Sequence, residues 1–140
     1  MNVWLSLASA RRYSDLLDRY LVVTLGAALG GLGRYVLGSA IMARYGGSFP
    51  LGTVVINITG SFLIGVLMTL LTERWHVHPN WRLFLVTGFL GGYTTFSSFE
   101  YETFLAMRSG GSRIAVANVV GSVGLGYAAV WLGAWLATRS

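Results

Sequence analysis

No charged residue stands between Arg44 and Glu73, or between Arg113 and Arg139. A helix needs about 20 mostly apolar residues to cross the hydrocarbon of a bilayer, and both gaps exceed that. Two further stretches follow nearly the same pattern: Tyr20 to Tyr45, interrupted within by Arg34, and Trp81 to Met107, uncharged between Arg82 and Glu100. These four account for most of a 140-residue chain that is 54% apolar and only 11% charged. The expected fold is therefore an all-α membrane protein of four transmembrane helices, over about residues 20–45, 51–72, 81–107 and 113–137. The connections are short and rich in turn formers or helix-edge charge: Gly46-Gly-Ser-Phe-Pro50, Glu73 to Asn80, and Ser109-Gly-Gly-Ser112. No soluble domain is expected among them.

Residues 1–19 read as an amphipathic lead-in lying at the surface, rather than a fifth span or a cleaved signal. The short apolar run from Val3 to Ala10 has no basic residue ahead of it and leads into Arg11, Arg12, Asp15, Asp18 and Arg19. Cysteine is absent, which excludes disulfides and thiolate metal sites, and both histidines, His76 and His78, fall in the second connection. The net charge of +5 comes from arginine alone, with no lysine. In a membrane protein such a balance speaks to topology first, and no nucleic-acid motif accompanies it. Four spans place Arg19, Arg74, Arg82 and Arg139 near one membrane face and Arg44, Arg108 and Arg113 near the other. So even a split permits insertion in both orientations, and with it a two-fold axis lying in the membrane plane.

The third span carries the chemistry. Its middle reads Gly88-Phe-Leu-Gly-Gly-Tyr-Thr-Thr-Phe-Ser-Ser-Phe-Glu100, with helix-loosening glycines, adjacent hydroxyls and paired aromatics where lipid-depth residues are usually plain. Backbone freed from a helix at that depth needs protein or a wet cavity around it. A break over Gly91 to Thr95 is expected, with Gly91 and Gly92 loosening the helix and Thr94 and Thr95 satisfying freed carbonyls or holding them towards a hard cation such as sodium. Two carbonyls from each of two antiparallel subunits would close a four-oxygen site on the axis. Beyond the break Phe96 and Phe99 share a helical face, with Ser97 and Ser98 between them. A phenyl ring is positive at its edge, so rings turned edge-on to a narrow path attract a small dehydrated anion; the same spacing also serves ordinary packing.

The other spans supply polar and small residues that fit either a path or a packing seam. In the first, Gly26, Gly30 and Gly33 make a smooth face for close approach, and Arg34 stands where a charge costs about 2.5 to 3.5 kcal/mol. That arginine either finds a structural partner or draws anions into a vestibule. In the second, Asn57, Gly60, Ser61 and Gly65 form a stripe whose amide can serve interhelical bonding or a passing anion. In the fourth, Asn118 and Ser122 stack four residues apart, among Gly121, Gly124 and Gly126. Glu100 and Glu102 close the third span at its interfacial end. Neither has the mid-helix position that proton coupling needs.

These motifs together resemble the Fluc/CrcB family of fluoride channels. The resemblance covers roughly Leu21 to the end of the fourth span. It rests on Gly30-Gly-Leu-Gly-Arg34-Tyr35, on Gly52 to Phe62 with Asn57 and Gly60-Ser61, and most specifically on Gly88 to Phe99. It implies an antiparallel, dual-topology homodimer in the bacterial inner (plasma) membrane that passively exports fluoride, with a structural sodium ion at the dimer centre. By position, Gly91 and Thr94 match the sodium carbonyls, Phe96 and Phe99 the aromatic box, and Asn57 the amide facing the path. Asn118 and Ser122 match the fourth-helix polar track, Arg34 the first-helix arginine, and Glu102 the third-helix acidic position; Gly92, Thr95, Ser97 and Ser98 support the break. Ser98 stands where the family usually has threonine, Tyr93 is bulky, and the lead-in before Leu21 is unmatched. The rivals are a small proton-coupled multidrug exporter, which would need a carboxylate embedded mid-membrane, and an accessory subunit, which leaves the break without a purpose. With no embedded nucleophile, base or metal cluster in sight, enzymatic activity is not expected.

Overall fold

A computed structural model describes residues 3–75 and 77–139, and the regular structure there is helical. His76 and the first two residues of the lead-in lie outside the described residues. Helix α1 runs over Val3–Tyr45. Helix α2, Leu51–Thr69, widens into a π-helical turn at Leu70–Arg74. The third span is assembled from pieces: α3 at Pro79–Arg82, a π-helical stretch at Leu83–Leu90, α4 at Gly91–Tyr93 and α5 at Phe96–Arg108. Helix α6 is Ser112–Arg139. Among the described residues three helices are long and apolar enough to cross a membrane, Tyr13–Tyr45, Leu51–Arg74 and Ser112–Arg139.

Helix α1 passes unbroken through the boundary expected near residue 20, because neither proline nor glycine interrupts the chain between Val3 and Leu25. At about 1.5 Å per residue its 43 residues extend about 64 Å, roughly twice the ~30 Å of a hydrocarbon core. Its two faces differ in size rather than polarity. Leu21, Leu25, Leu29 and Leu32 are exposed, while Gly26 and Gly30 are buried against the third span. The approach there is close enough that a Cβ on Gly26 would sit 3.0 Å from Gly88 Cα, and one on Gly92 would sit 3.0 Å from Ala27 Cα.

Helices α2 and α6 make the most extensive pair in the molecule. Two glycines, one from each, set their separation: a Cβ on Gly65 would lie 3.0 Å from Ala134 N, and one on Gly133 would lie 3.1 Å from Val66 N. Of the other fourth-span glycines Gly126 joins this seam, facing Ser61, whereas Gly121 and Gly124 face open space. Overpacking of this kind typically costs about 1–3 kcal/mol. Gly133→Leu is therefore expected to lower the melting temperature of the detergent-solubilised protein by several degrees, and an unchanged melting curve would show that the seam yields.

Candidate ion path

Thr94 and Thr95 are the two extended residues between α4 and α5, at φ −80°, ψ 158° and φ −149°, ψ 119°. The extended stretch is shorter than the break expected over Gly91 to Thr95, since Gly91 and Gly92 stay helical. The physical reason lies in what each residue is offered. Gly92 packs against Ala27 and works as a packing surface, whereas Thr95 is offered a substitute for its helical partner. Its N–H donates to Asn57 Oδ1 at 2.9 Å, and its carbonyl accepts from Asn57 Nδ2 at 2.9 Å. The amide of α2 thus pairs with Thr95 as a neighbouring strand would. Both of its polar atoms are engaged, with the second Nδ2 N–H left over.

The next turn is rebuilt by Thr95 itself. Its Oγ1 accepts from Ser98 N at 3.3 Å, capping α5, and donates to Ser98 Oγ at 3.0 Å. In an uninterrupted helix the N–H groups of Thr95 and Ser98 would bond to the carbonyls four residues earlier, those of Gly91 and Thr94. Asn57 and the Thr95 hydroxyl take those donors instead. On the near side, Thr94 N and Thr94 Oγ1 both donate to Leu90 O, at 3.0 and 2.9 Å.

A cleft of about 380 Å³ opens beside this break, lined among others by Asn57, Gly91, Thr94, Phe96, Phe99 and Ser122. The two rings lie 5.7 Å apart, tilted by 39°, and their settings differ sharply. Phe99 is 8% exposed and Phe96 is 70% exposed on the single chain. Behind Phe99 runs a chain of hydrogen bonds. Thr103 Oγ1 donates to Phe99 O at 2.7 Å and accepts from Asn118 Nδ2 at 2.8 Å, while Ser122 Oγ donates to Asn118 Oδ1 at 3.3 Å. Asn118 is 1% exposed and lies behind the cleft wall, reaching it through Ser122.

A second, larger cleft of about 880 Å³ is lined by Arg34, Thr53, Ser98 and Glu102 among others. Thr53 Oγ1 donates to Glu102 Oε1 at 2.8 Å, and Glu102 Oε2 is buried without a hydrogen-bond partner. Thr95 lines both clefts, so the extended residue stands between the arginine-bearing cleft and the phenylalanine-bearing one. Ser97 is exposed and, like Gly92, lines neither. Sequence reasoning missed Thr53, Thr59 and Thr103. For Thr103 the available signal was its four-residue spacing from Phe99. Among the described residues no three histidine, aspartate or glutamate side chains come together, so a cation held here would rest on main-chain and hydroxyl oxygens.

Comparison with known proteins bears on this arrangement. The family model described as CrcB-like protein, Camphor Resistance (CrcB), matches residues 21–134. A protein of Solibacter usitatus named "Fluoride-specific ion channel FluC" is 63% identical over 121 residues, covering 86% of this chain and 99% of its own. Its namesake from Acidobacterium capsulatum is 50% identical over 121 residues, covering 86% and 97%. One from Opitutus terrae is 47% identical over 116 residues, covering 81% and 88%. Matched over most of its length by the family model and over nearly the whole of its first two relatives, this all-helical, multi-pass membrane chain belongs to the CrcB-like family.

Proposed function

We propose that the chain is a passive, fluoride-selective channel that works as an antiparallel, dual-topology homodimer and lets cytoplasmic fluoride leave the cell. The observation that carries this reading is the meeting of two clefts at Thr95, one with Arg34 at its wall and the other with Phe96 and Phe99. The names of the relatives supply the ion. Arg34 draws anions to the wider cleft. The Ser98 hydroxyl, the spare Asn57 N–H and the positive ring edges of Phe96 and Phe99 replace water around a small anion as it passes, along a track lined by Ser122 and backed by Asn118. The exposed Phe96 and the open glycine faces at Gly31, Gly121 and Gly124 support a partner subunit covering them.

The residues at the break also fit a structural sodium ion. Asn57 and Thr95 withdraw the N–H donors that would otherwise engage the Gly91 and Thr94 carbonyls, and main-chain oxygens suit a hard cation. Gly91 and Thr94 are the residues that would hold it, with Gly92, Thr95, Ser97, Ser98 and Glu102 in support. When bound, such an ion supplies a fixed positive charge at the centre of the dimer.

No energy coupling is needed. Hydrogen fluoride enters as the neutral acid and ionises in a more alkaline cytoplasm; the anion then leaves under an inside-negative potential worth about 2.3 kcal/mol per charge per 100 mV. The chain is a conduit and not an enzyme. The test is ion efflux from liposomes carrying the purified protein, with fluoride and chloride followed by selective electrodes after a potassium ionophore is added. Fast fluoride loss with chloride retained is expected; fluoride retained by demonstrably folded dimer would overturn the reading.

A further inference from the structure

Thr94 is tethered to α2 on both sides. On one side is the Asn57 pairing with Thr95; on the other is Tyr93, whose hydroxyl lies 2.9 Å from Thr59 Oγ1. Counting protons fixes the direction of that second bond. Thr59 has a single hydroxyl hydrogen, and its Oγ1 already donates to Val55 O at 2.8 Å and Ile56 O at 3.1 Å, so Tyr93 is the donor and Thr59 the acceptor. The ring is held as firmly as the hydroxyl. Tyr93 is 7% exposed and stacks on Phe89 at 5.9 Å with planes 8° apart. It is wedged between α1, where a Cβ on Gly30 would lie 2.9 Å from Tyr93 N, and α2, where one on Gly60 would lie 3.4 Å from its ring. Gly60 also leaves room for the Thr94 methyl. An aromatic that looks too bulky beside a break is thus the peg that fastens it.

We propose that the Tyr93–Thr59 hydrogen bond is a positioning contact that sets how tightly the Gly91 and Thr94 carbonyls hold their cation. The inference rests on the sodium reading above. Asn57 and Thr59 stand two residues apart on α2, and Tyr93 and Thr95 two apart on the third span, so the pairs Asn57–Thr95 and Thr59–Tyr93 leave Thr94 little freedom to rotate. Loss of the tyrosine hydroxyl frees the α4 end while the ring keeps its packing and the anion cleft keeps its walls, since neither Tyr93 nor Thr59 lines it. Sodium affinity should then fall without loss of fluoride selectivity.

The test is a sodium titration of the purified full-length protein, read as melting temperature in detergent with N-methyl-D-glucamine replacing sodium, alongside fluoride efflux from liposomes. Tyr93→Phe is expected to raise the half-saturating sodium concentration at least about fivefold, with fluoride over chloride selectivity unchanged at saturating sodium. Thr59→Val should do the same, and Thr59→Ser, which keeps the acceptor, should restore the wild-type value. Should Thr59→Val fold poorly for want of a partner for the Tyr93 hydroxyl, the double variant Tyr93→Phe/Thr59→Val removes both groups and must show the same shift. Wild-type sodium dependence in Tyr93→Phe would overturn the positioning role alone. A wild-type protein whose melting ignores sodium would overturn it together with the sodium site, leaving the fluoride reading to the efflux assay.

Discussion

Phe96→Ile and Phe99→Ile are each expected to cut fluoride efflux about 100-fold or more while the protein stays dimeric. Isoleucine keeps apolar bulk but has no ring, and so no positive edge to set against a desolvated anion. A 100-fold loss corresponds to about 2.7 kcal/mol, within reach when an anion stripped of water loses its principal attractive neighbour in a low-dielectric path. The two variants should part company in stability. Phe99 is nearly buried and its carbonyl is anchored by Thr103, so shrinking it leaves a void in packed surroundings and costs about 1–3 kcal/mol. Phe96 is 70% exposed on the single chain, so its replacement should leave the subunit's own fold almost untouched and register in flux. Efflux and melting measured on the same preparations separate the two effects. Wild-type flux in a dimeric Phe96→Ile/Phe99→Ile protein would remove the rings from the path.

What the sequence exposed and what it hid divide along the range of the interaction concerned. The charge-free stretches are legible because the cost of a charge in hydrocarbon applies residue by residue. The span expected over 113–137 stands beside a helix at Ser112–Arg139, and that over 51–72 beside Leu51–Arg74. The break, by contrast, is legible only as a stretch from Gly91 to Thr95, within which the extended backbone is confined to the two threonines. Glycine in a membrane helix is often a surface for close approach, as Gly92 is against Ala27. What extends the chain is a substitute partner, and that partner, Asn57, is 38 residues away. Local sequence holds no record of such a pairing.

The same limit explains the missed threonines. A threonine within a helix ordinarily bonds the carbonyl four residues back, as Thr69 does to Gly65 at 2.9 Å, and so looks unremarkable. Thr59 and Thr103 do this too, and each then uses its oxygen a second time as an acceptor, for Tyr93 and for Asn118. Only the fold reveals that second use. The setting of Tyr93 is hidden for a related reason, since its size beside a break looks awkward until Gly60 and Gly33 are seen to clear space around its ring.

Asn57 is where these strands join, and two substitutions there should separate its two tasks. Asn57→Ala removes both partners of Thr95, a residue only 9% exposed, at roughly 1–3 kcal/mol for each orphaned group. The chain has one local way to recover part of this: the Thr95 N–H can return to the Gly91 carbonyl and close the helix. That repair withdraws an oxygen from the proposed sodium pair. Asn57→Ala is therefore expected to lower the melting temperature, to abolish its response to sodium and to stop fluoride efflux. Asn57→Asp keeps an acceptor for the Thr95 N–H, so the break stays open and the sodium response should survive. It loses the donor to the Thr95 carbonyl and, as a carboxylate on the cleft wall, opposes any anion passing Phe96 and Phe99, so efflux should still fall by at least about 100-fold, or about 2.7 kcal/mol. Melting with and without sodium, paired with efflux, reads both variants. Should the aspartate variant lose its sodium response as completely as the alanine one, the acceptor at Thr95 is not what holds the helix apart, and the opening must be sought in the Thr95–Ser98 cap instead.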